Sequence, residues 1–288
     1  MKTRILTSIF GIPILIPFFI APCDWALVFF FAVLGTVGAG EILKCTGLFS
    51  KPLITVPTLT VAFTAQALLL LLRKGIIVDS QRYLAIMLLL YMIYFIVVMA
   101  AAVFSKGAIK LSVVTESALM TVYLSFGFSA FTLLRDFNAD YGLALFFITF
   151  ALPWICDASA YFVGVFFGKH KLIPDVSPKK TVEGAIGGIV GGVVIMSIVG
   201  IVMHFGFGKV PNYFMLLGIA LVGCLVSQIG DLIASLLKRE YGIKDYGKLF
   251  PGHGGVMDRF DSLITVAVFV YAVCVVCSGF GVNLFTAW

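Results

Sequence analysis

The chain has 288 residues, 61% of them hydrophobic and 12% charged, with a formal net charge of +6. Soluble globular domains are about half apolar and a quarter charged, so this composition, with a mean hydropathy of +1.12, excludes that class. In so apolar a chain the excess of Lys and Arg reports orientation in a bilayer, and no nucleic-acid partner is expected.

Apolar runs of about 18 or more residues recur along the chain, each long enough to cross a bilayer. They lack the period-2 alternation of a barrel, so helices are the spanning form. The expected fold is all-α: a polytopic integral membrane protein of about nine transmembrane helices with a cytoplasmic N-terminus. The spans are expected at 5–22, 25–43, 53–72, 83–104, 111–134, 141–166, 184–205, 213–236 and 261–283. Met1-Lys2-Thr3-Arg4 before an apolar run resembles a signal peptide. No small-x-small cleavage pattern precedes Asp24, so it is read as an uncleaved first span. With the N-terminus inside, fifteen of the 20 Lys and Arg fall in inner loops, as the positive-inside rule requires.

The first five spans carry few ionisable groups. Glu41 and Glu116 lie near span ends and read as interfacial anchors. Residues 1–140 therefore read as a transmembrane scaffold. Residues 141–288 read as the catalytic region, with cytoplasmic loops at 167–183 and 237–260. The six cysteines are scattered; Cys274-x-x-Cys277 sits inside a span without a second pair and reads as apolar packing.

The sixth span contains Asp157. A charge at that depth costs about 2.5–3.5 kcal/mol, so a metal, a cation or a proton must offset it. The loop that follows holds Ser177, Lys179, Lys180 and Thr181. These suit either phosphate binding or positive-inside anchoring, and both readings stay open here. Gly164-x-x-x-Gly168-Lys169 is one residue short of a P-loop and lacks its Ser/Thr. In the seventh span Gly184, Gly188 and Gly192 share one face, which predicts tight helix packing.

Charge gathers between Ser227 and Asp261, which holds five of the 14 acidic residues. Ser227, Asp231, Ser235 and Lys238 fall on one face of the eighth span. A glycine-rich loop leads to Asp258 and Asp261, on one side of the ninth helix. Its start is expected to favour phosphate. Carboxylates that meet Lys and Arg at one membrane face suit a hard divalent ion and phosphate-bearing substrates, hence phosphoryl or nucleotidyl transfer. The bland reading is a solvated loop whose ions pair with each other.

The run Ser235-x-x-Lys238-Arg239-x4-Lys244-Asp245-x-Gly247-x-x-x-Pro251-Gly252-His253-Gly254-Gly255-x-x-Asp258-Arg259-x-Asp261 resembles the signature of the bacterial phosphatidate cytidylyltransferases, or CDP-diglyceride synthases. So does Asp157-x-x-Ala160-Tyr161 with Gly168-Lys169 and Ser177-Pro178-Lys179-Lys180-Thr181-x-Glu183-Gly184. The resemblance is specific over about 157–261. It implies that CTP and phosphatidate from the inner leaflet give CDP-diacylglycerol and pyrophosphate, with Mg²⁺ as cofactor and a second cation left open. It implies a multi-pass protein of the bacterial cytoplasmic membrane with its site on the cytoplasmic face; a homodimer is left open.

Under that resemblance Asp231, Asp258 and Asp261 become the expected metal ligands, with Asp157 as a further cation ligand or Lys partner. Lys238, Arg239, Lys244, Lys248 and Arg259 become phosphate ligands, joined by Lys179, Lys180, Ser177, Thr181 and Ser235. His253 is either the acid for the leaving pyrophosphate or a plain donor. The rival from another class is a secondary transporter with an intramembrane carboxylate site. A related cytidylyltransferase acting on another lipid phosphate is the nearer alternative. The Asp-Gly-x-x-Ala-Arg run of CDP-alcohol phosphotransferases does not occur here.

The topology has a direct check. A reporter fused after Trp288 is expected to be active only on the extracytoplasmic side; cytoplasmic activity would break the nine-span arrangement.

Overall fold

The structure is a computed structural model that describes residues 24–77, 79–250, 252 and 254–287. Eight helices follow in order: α1 (Asp24–Cys45), α2 (Pro52–Arg73), α3 (Ser80–Phe104), α4 (Leu111–Arg135), α5 (Gly142–Phe167), α6 (Val182–Phe207), α7 (Tyr213–Glu240) and α8 (Met257–Gly279). All eight are long and apolar enough to cross a membrane. The chain is an all-α polytopic membrane protein. The expected span at 5–22 lies outside the described residues.

Local chemistry sets the helix ends. Pro52 opens α2, where its missing N–H costs nothing. Asp79 caps α3 by accepting from Arg82 N at 2.7 Å, and Thr181 caps α6 by accepting from Gly184 N at 3.1 Å. Gly208 ends α6 in the left-handed region. The last helix differs from expectation: α8 begins at 257 rather than 261 and ends at 279 rather than 283. Its first turn is polar and reads as loop, yet Met257 N donates to Glu41, and Arg259 N and Phe260 N donate to Val256 O. Two short antiparallel ladders add to the helices. β1 (Lys171–Ile173) pairs with β2 (Ser177–Thr181), with Lys171 opposite Thr181. β3 (Lys209–Pro211) pairs with β4 (Phe285–Ala287).

The chain forms two compact units. One comprises the described residues up to Thr132 together with Glu240–Phe260; the other comprises Leu133–Arg239 and Asp261 onward. In the first, Phe31 stacks against Phe128 and Phe131, with ring centroids 5.4 and 5.5 Å apart. Polar groups cross this apolar unit in partnership. Gln66 donates to Ser125 O at 2.9 Å and to Ser129 Oγ at 3.1 Å, Ser117 donates to Thr46 Oγ1 at 3.0 Å, and Thr58 meets Tyr94 at 3.2 Å. Such bonds hold helices together where lipid leaves no hydrophobic drive between them.

In the second unit α5 and α6 pack along their length, on the expected glycine face. A Cβ on Gly188 would stand 2.9 Å from the Cys156 carbonyl oxygen and 3.1 Å from Ala160 Cβ. One on Gly184 would stand 2.7 Å from the Ala160 carbonyl oxygen. Only glycine allows this approach, and it sets Asp157 on α5 beside the strand that leads into α6. At the far end, Leu284 and Phe285 are buried and Asn212 N donates to Leu284 O at 2.8 Å.

Gly188→Leu is expected to destabilise the protein by about 1–3 kcal/mol through overpacking. Gly218→Ala meets open space in mid-helix and is expected to be neutral or stabilising by about 0.5–1 kcal/mol. Thermal unfolding in detergent compares the two; equal effects would remove the packing role from Gly188.

Candidate functional site

α7 delivers Ser227, Asp231, Ser235 and Lys238 as one stripe. Ser227 and Ser235 are buried and Asp231 is half-buried. Asp231 is the pivot. Lys180 reaches in from β2, placing Nζ 2.6 Å from Asp231 Oδ2. The contact is short but off-angle, so Nζ forms an ion pair without a directed hydrogen bond. Ser235 Oγ donates to Asp231 Oδ1 at a long 3.4 Å. Ser227 Oγ, one turn earlier, is buried and finds no hydrogen-bond partner among the described residues.

Asp261 joins this group from α8. It is 7% exposed, and Ser262 N donates to its Oδ1 at 2.7 Å. Asp231 acts on it most strongly among charged neighbours, followed by Lys238 and Asp157. The close approach depends on Gly230. A Cβ there would stand 3.0 Å from the Asp261 carbonyl oxygen and collide with the Thr265 hydroxyl. Sequence reasoning missed Gly230, although a glycine directly before the intramembrane acid was the available signal.

A cavity of about 480 Å³ opens beside these groups, lined by Asp157, Asp231, Lys179, Lys180, Thr181 and Gln228 on its polar side. Tyr161 and Val165 line another part of it and have largely exposed apolar surfaces. Charge and apolar surface therefore share one cavity. The β1–β2 ladder that supplies Lys179 and Lys180 is pinned at its open end by Glu183. Its Oε2 accepts from Lys169 N at 3.0 Å and His170 N at 3.2 Å, and its Oε1 lies 2.6 Å from His170 Nδ1.

The other expected substrate ligands divide by position. Thr181 is spent on capping α6, and Ser177 sits opposite Ile173 in the ladder. Arg239 is exposed and its Nε donates to Val176 O at 3.3 Å. Lys244, Lys248 and Arg259 belong to the first unit and are exposed. His253 lies outside the described residues.

In the first unit the glycine-rich loop is built around two carboxylates. Asp258 Oδ2 accepts from Tyr246 N at 2.8 Å and Gly255 N at 3.0 Å. Glu41 accepts from Val256 N and Met257 N, each at 3.0 Å. At the start of α8, expected to favour phosphate, the amides of Gly255, Val256 and Met257 are thus already bonded to side chains. Glu41 is 5% exposed, which corrects its reading as an interfacial anchor. Glu116 is likewise engaged, accepting from the Tyr241 hydroxyl. Burial first, and that carboxylate second, push the Tyr241 pKa up.

Among the described residues no group of three or more His, Cys, Asp or Glu could hold a metal. Lys180 Nζ sits against Asp231, and Asp258 turns one oxygen to backbone amides. The donor set still fits Mg²⁺, which usually takes one or two carboxylates and completes its shell with water and substrate phosphate. Asp231 and Asp261 are such a pair.

The model of the cytidylyltransferase family matches residues 2–277. The chain belongs to this family. Its relatives include a phosphatidate cytidylyltransferase of Bacillus subtilis (strain 168), 42% identical over 153 residues, covering 53% of this chain and 55% of that protein. Another, of Staphylococcus haemolyticus (strain JCSC1435), is 32% identical over 266 residues, covering 92% of this chain and 96% of the relative. One of Staphylococcus aureus (strain COL) is 31% identical over the same length and shares. The family match reaches the N-terminal half, beyond the 157–261 stretch that carried the resemblance. For a member of this family, the polar cavity of the second unit and the carboxylate-built loop of the first are the two features that need explanation.

The Lys180–Asp231 contact is testable by a double-mutant cycle. Lys180→Met and Asp231→Asn together are expected to cost less than the sum of the single changes, with a coupling of about 0.5–3 kcal/mol in unfolding experiments. Strict additivity would mean that the pair contributes nothing.

Proposed function

We propose that this chain is a phosphatidate cytidylyltransferase, converting CTP and phosphatidate to CDP-diacylglycerol and pyrophosphate. The single observation that carries the reading is the cavity that joins Lys180, Asp231 and Asp157 to exposed apolar surface, within a chain of this family. A lipid phosphate and a nucleotide phosphate need cations between them, and the lipid's chains need an apolar side.

The phosphatidate phosphate is already an anion. One of its oxygens attacks the α-phosphorus of CTP, forming the new P–O bond. The bond from that phosphorus to the bridging α–β oxygen breaks, and pyrophosphate leaves with the electron pair. No strong base is required, so the protein's work is positioning and charge compensation. Lys180 and Lys179 stand where they can turn to phosphate oxygens. Lys238 adds positive charge close to Asp261. Gln228, whose Nε2 donates to Ala185 O at 3.0 Å, holds the cavity's α6 side to α7.

Mg²⁺ would be held by Asp231 and Asp261, and Asp157 would serve a second cation. The bound ion supplies neutralisation of phosphate charge. Asp258, with Oδ2 on two amides, organises the loop. The lipid enters from the inner leaflet, and CTP from the cytoplasm. The positive-inside bias of the loops, with fifteen of the 20 Lys and Arg on the side of the loops at 167–183 and 237–260, supports that orientation.

The test is conversion of labelled CTP and phosphatidate by purified protein. Wild type is expected to form a cytidine-linked lipid in a Mg²⁺-dependent way. Asp261→Asn is expected to lower kcat by about 10²-fold or more with unchanged elution and thermal stability. Near wild-type turnover by Asp261→Asn would remove it from the metal site, and no product from wild type would overturn the reading.

A further inference from the structure

We propose that Glu41 is a positioning residue: its carboxylate serves as a built-in anion at the start of α8, seating the helix that carries Asp258 and Asp261. This rests on the cytidylyltransferase reading, because those two acids matter through it.

Four observations converge on Glu41. It is nearly fully buried at the end of a membrane helix. Its two oxygens take separate amides, Val256 N and Met257 N, each at 3.0 Å. A bound phosphate would take the same two kinds of donors, since a helix start presents free N–H groups and a positive dipole end. Third, Gly247 and Gly255 pack so close that a Cβ on either would collide with the carboxylate. The loop has left out side chains at the two places where they would displace Glu41. Fourth, the charged groups acting on it are Asp258 and Lys44, and Asp258 itself reaches back to Gly255 N. Two carboxylates therefore bind three consecutive amides, at 255, 256 and 257.

The consequence is directional. Substrate phosphate is kept off this helix end and left to the Lys and Arg side chains. The helix is held without a ligand, so its acids are placed before substrate arrives. Preplaced groups cost no reorganisation during the reaction.

A cavity of about 360 Å³ reaches Glu41 and has Lys44 and Lys248 among its lining residues. It gives a small carboxylate access, which makes chemical rescue the decisive experiment. Glu41→Ala is expected to lower kcat by about 10- to 100-fold, as for loss of charge-assisted hydrogen bonds, with little change in the KM for phosphatidate. Amide hydrogen exchange of residues 254–257 should quicken. Acetate should restore both kcat and slow exchange in Glu41→Ala and leave wild type unaffected. Loss of activity without acetate rescue, accompanied by a lowered Tm, would reduce Glu41 to a structural group and overturn the proposal; so would unchanged exchange. Should Glu41→Ala not fold, Glu41→Gln, which keeps the volume, is read by the same exchange measurement. That arm needs no turnover, so a wild type that makes no cytidine lipid would sink the reading of function while the exchange still decides on Glu41.

Discussion

A carboxylate taken out of water must find a cation or a set of hydrogen-bond donors, and the arrangement of this protein follows from how each acid is compensated. Asp231 meets a lysine, and Glu41 and Asp258 meet backbone amides. An acid with both oxygens taken up by amides, as in Glu41, has fixed partners. An acid matched by a flexible ammonium can exchange that partner for another cation, because Lys is a point charge on a four-carbon stem.

Close helix approach is the second constraint, and it serves the first. Gly188 brings α6 against α5 and so sets Asp157 and the Lys180 strand on one cavity; Gly230 brings α7 against α8 and so sets Asp231 by Asp261. Larger residues at these points would separate the acids by a side-chain layer. Charged groups at low dielectric interact strongly, so such a shift would change the site's electrostatics as well as its shape. Glu41, in the stretch 1–140 that reads from its sequence as scaffold, holds the glycine-rich loop through two backbone amides.

Membership of the cytidylyltransferase family and the cavity's mixture of charge and apolar surface point the same way. A reaction between a water-soluble nucleotide and a membrane lipid requires a site that both can reach. An intramembrane acid alone would also suit a transporter. What separates the two is the company Asp231 keeps: lysines in a cavity with an apolar side, in a chain of this family.

Much of this was legible in the residues. Long apolar runs can only be helices in lipid, so eight of the expected spans recur with boundary shifts of a few residues. The stripe through Asp231 and the glycine face of α6 follow from helical periodicity alone. Glu41 was misread because its partners lie more than two hundred residues away in sequence, and a lone acid near a span end carries no mark of them. The individual partners of the expected acids were likewise beyond reach, because local spacing does not say whether an oxygen turns to a metal, an amide or a lysine. The short ladders depend on pairings such as β3 with β4, distant in sequence and weak in pattern. Periodicity and hydropathy are local, so the sequence by itself determined which segments span and which faces are polar. Which acid meets which partner depends on contacts between distant segments, and only the tertiary structure decided that.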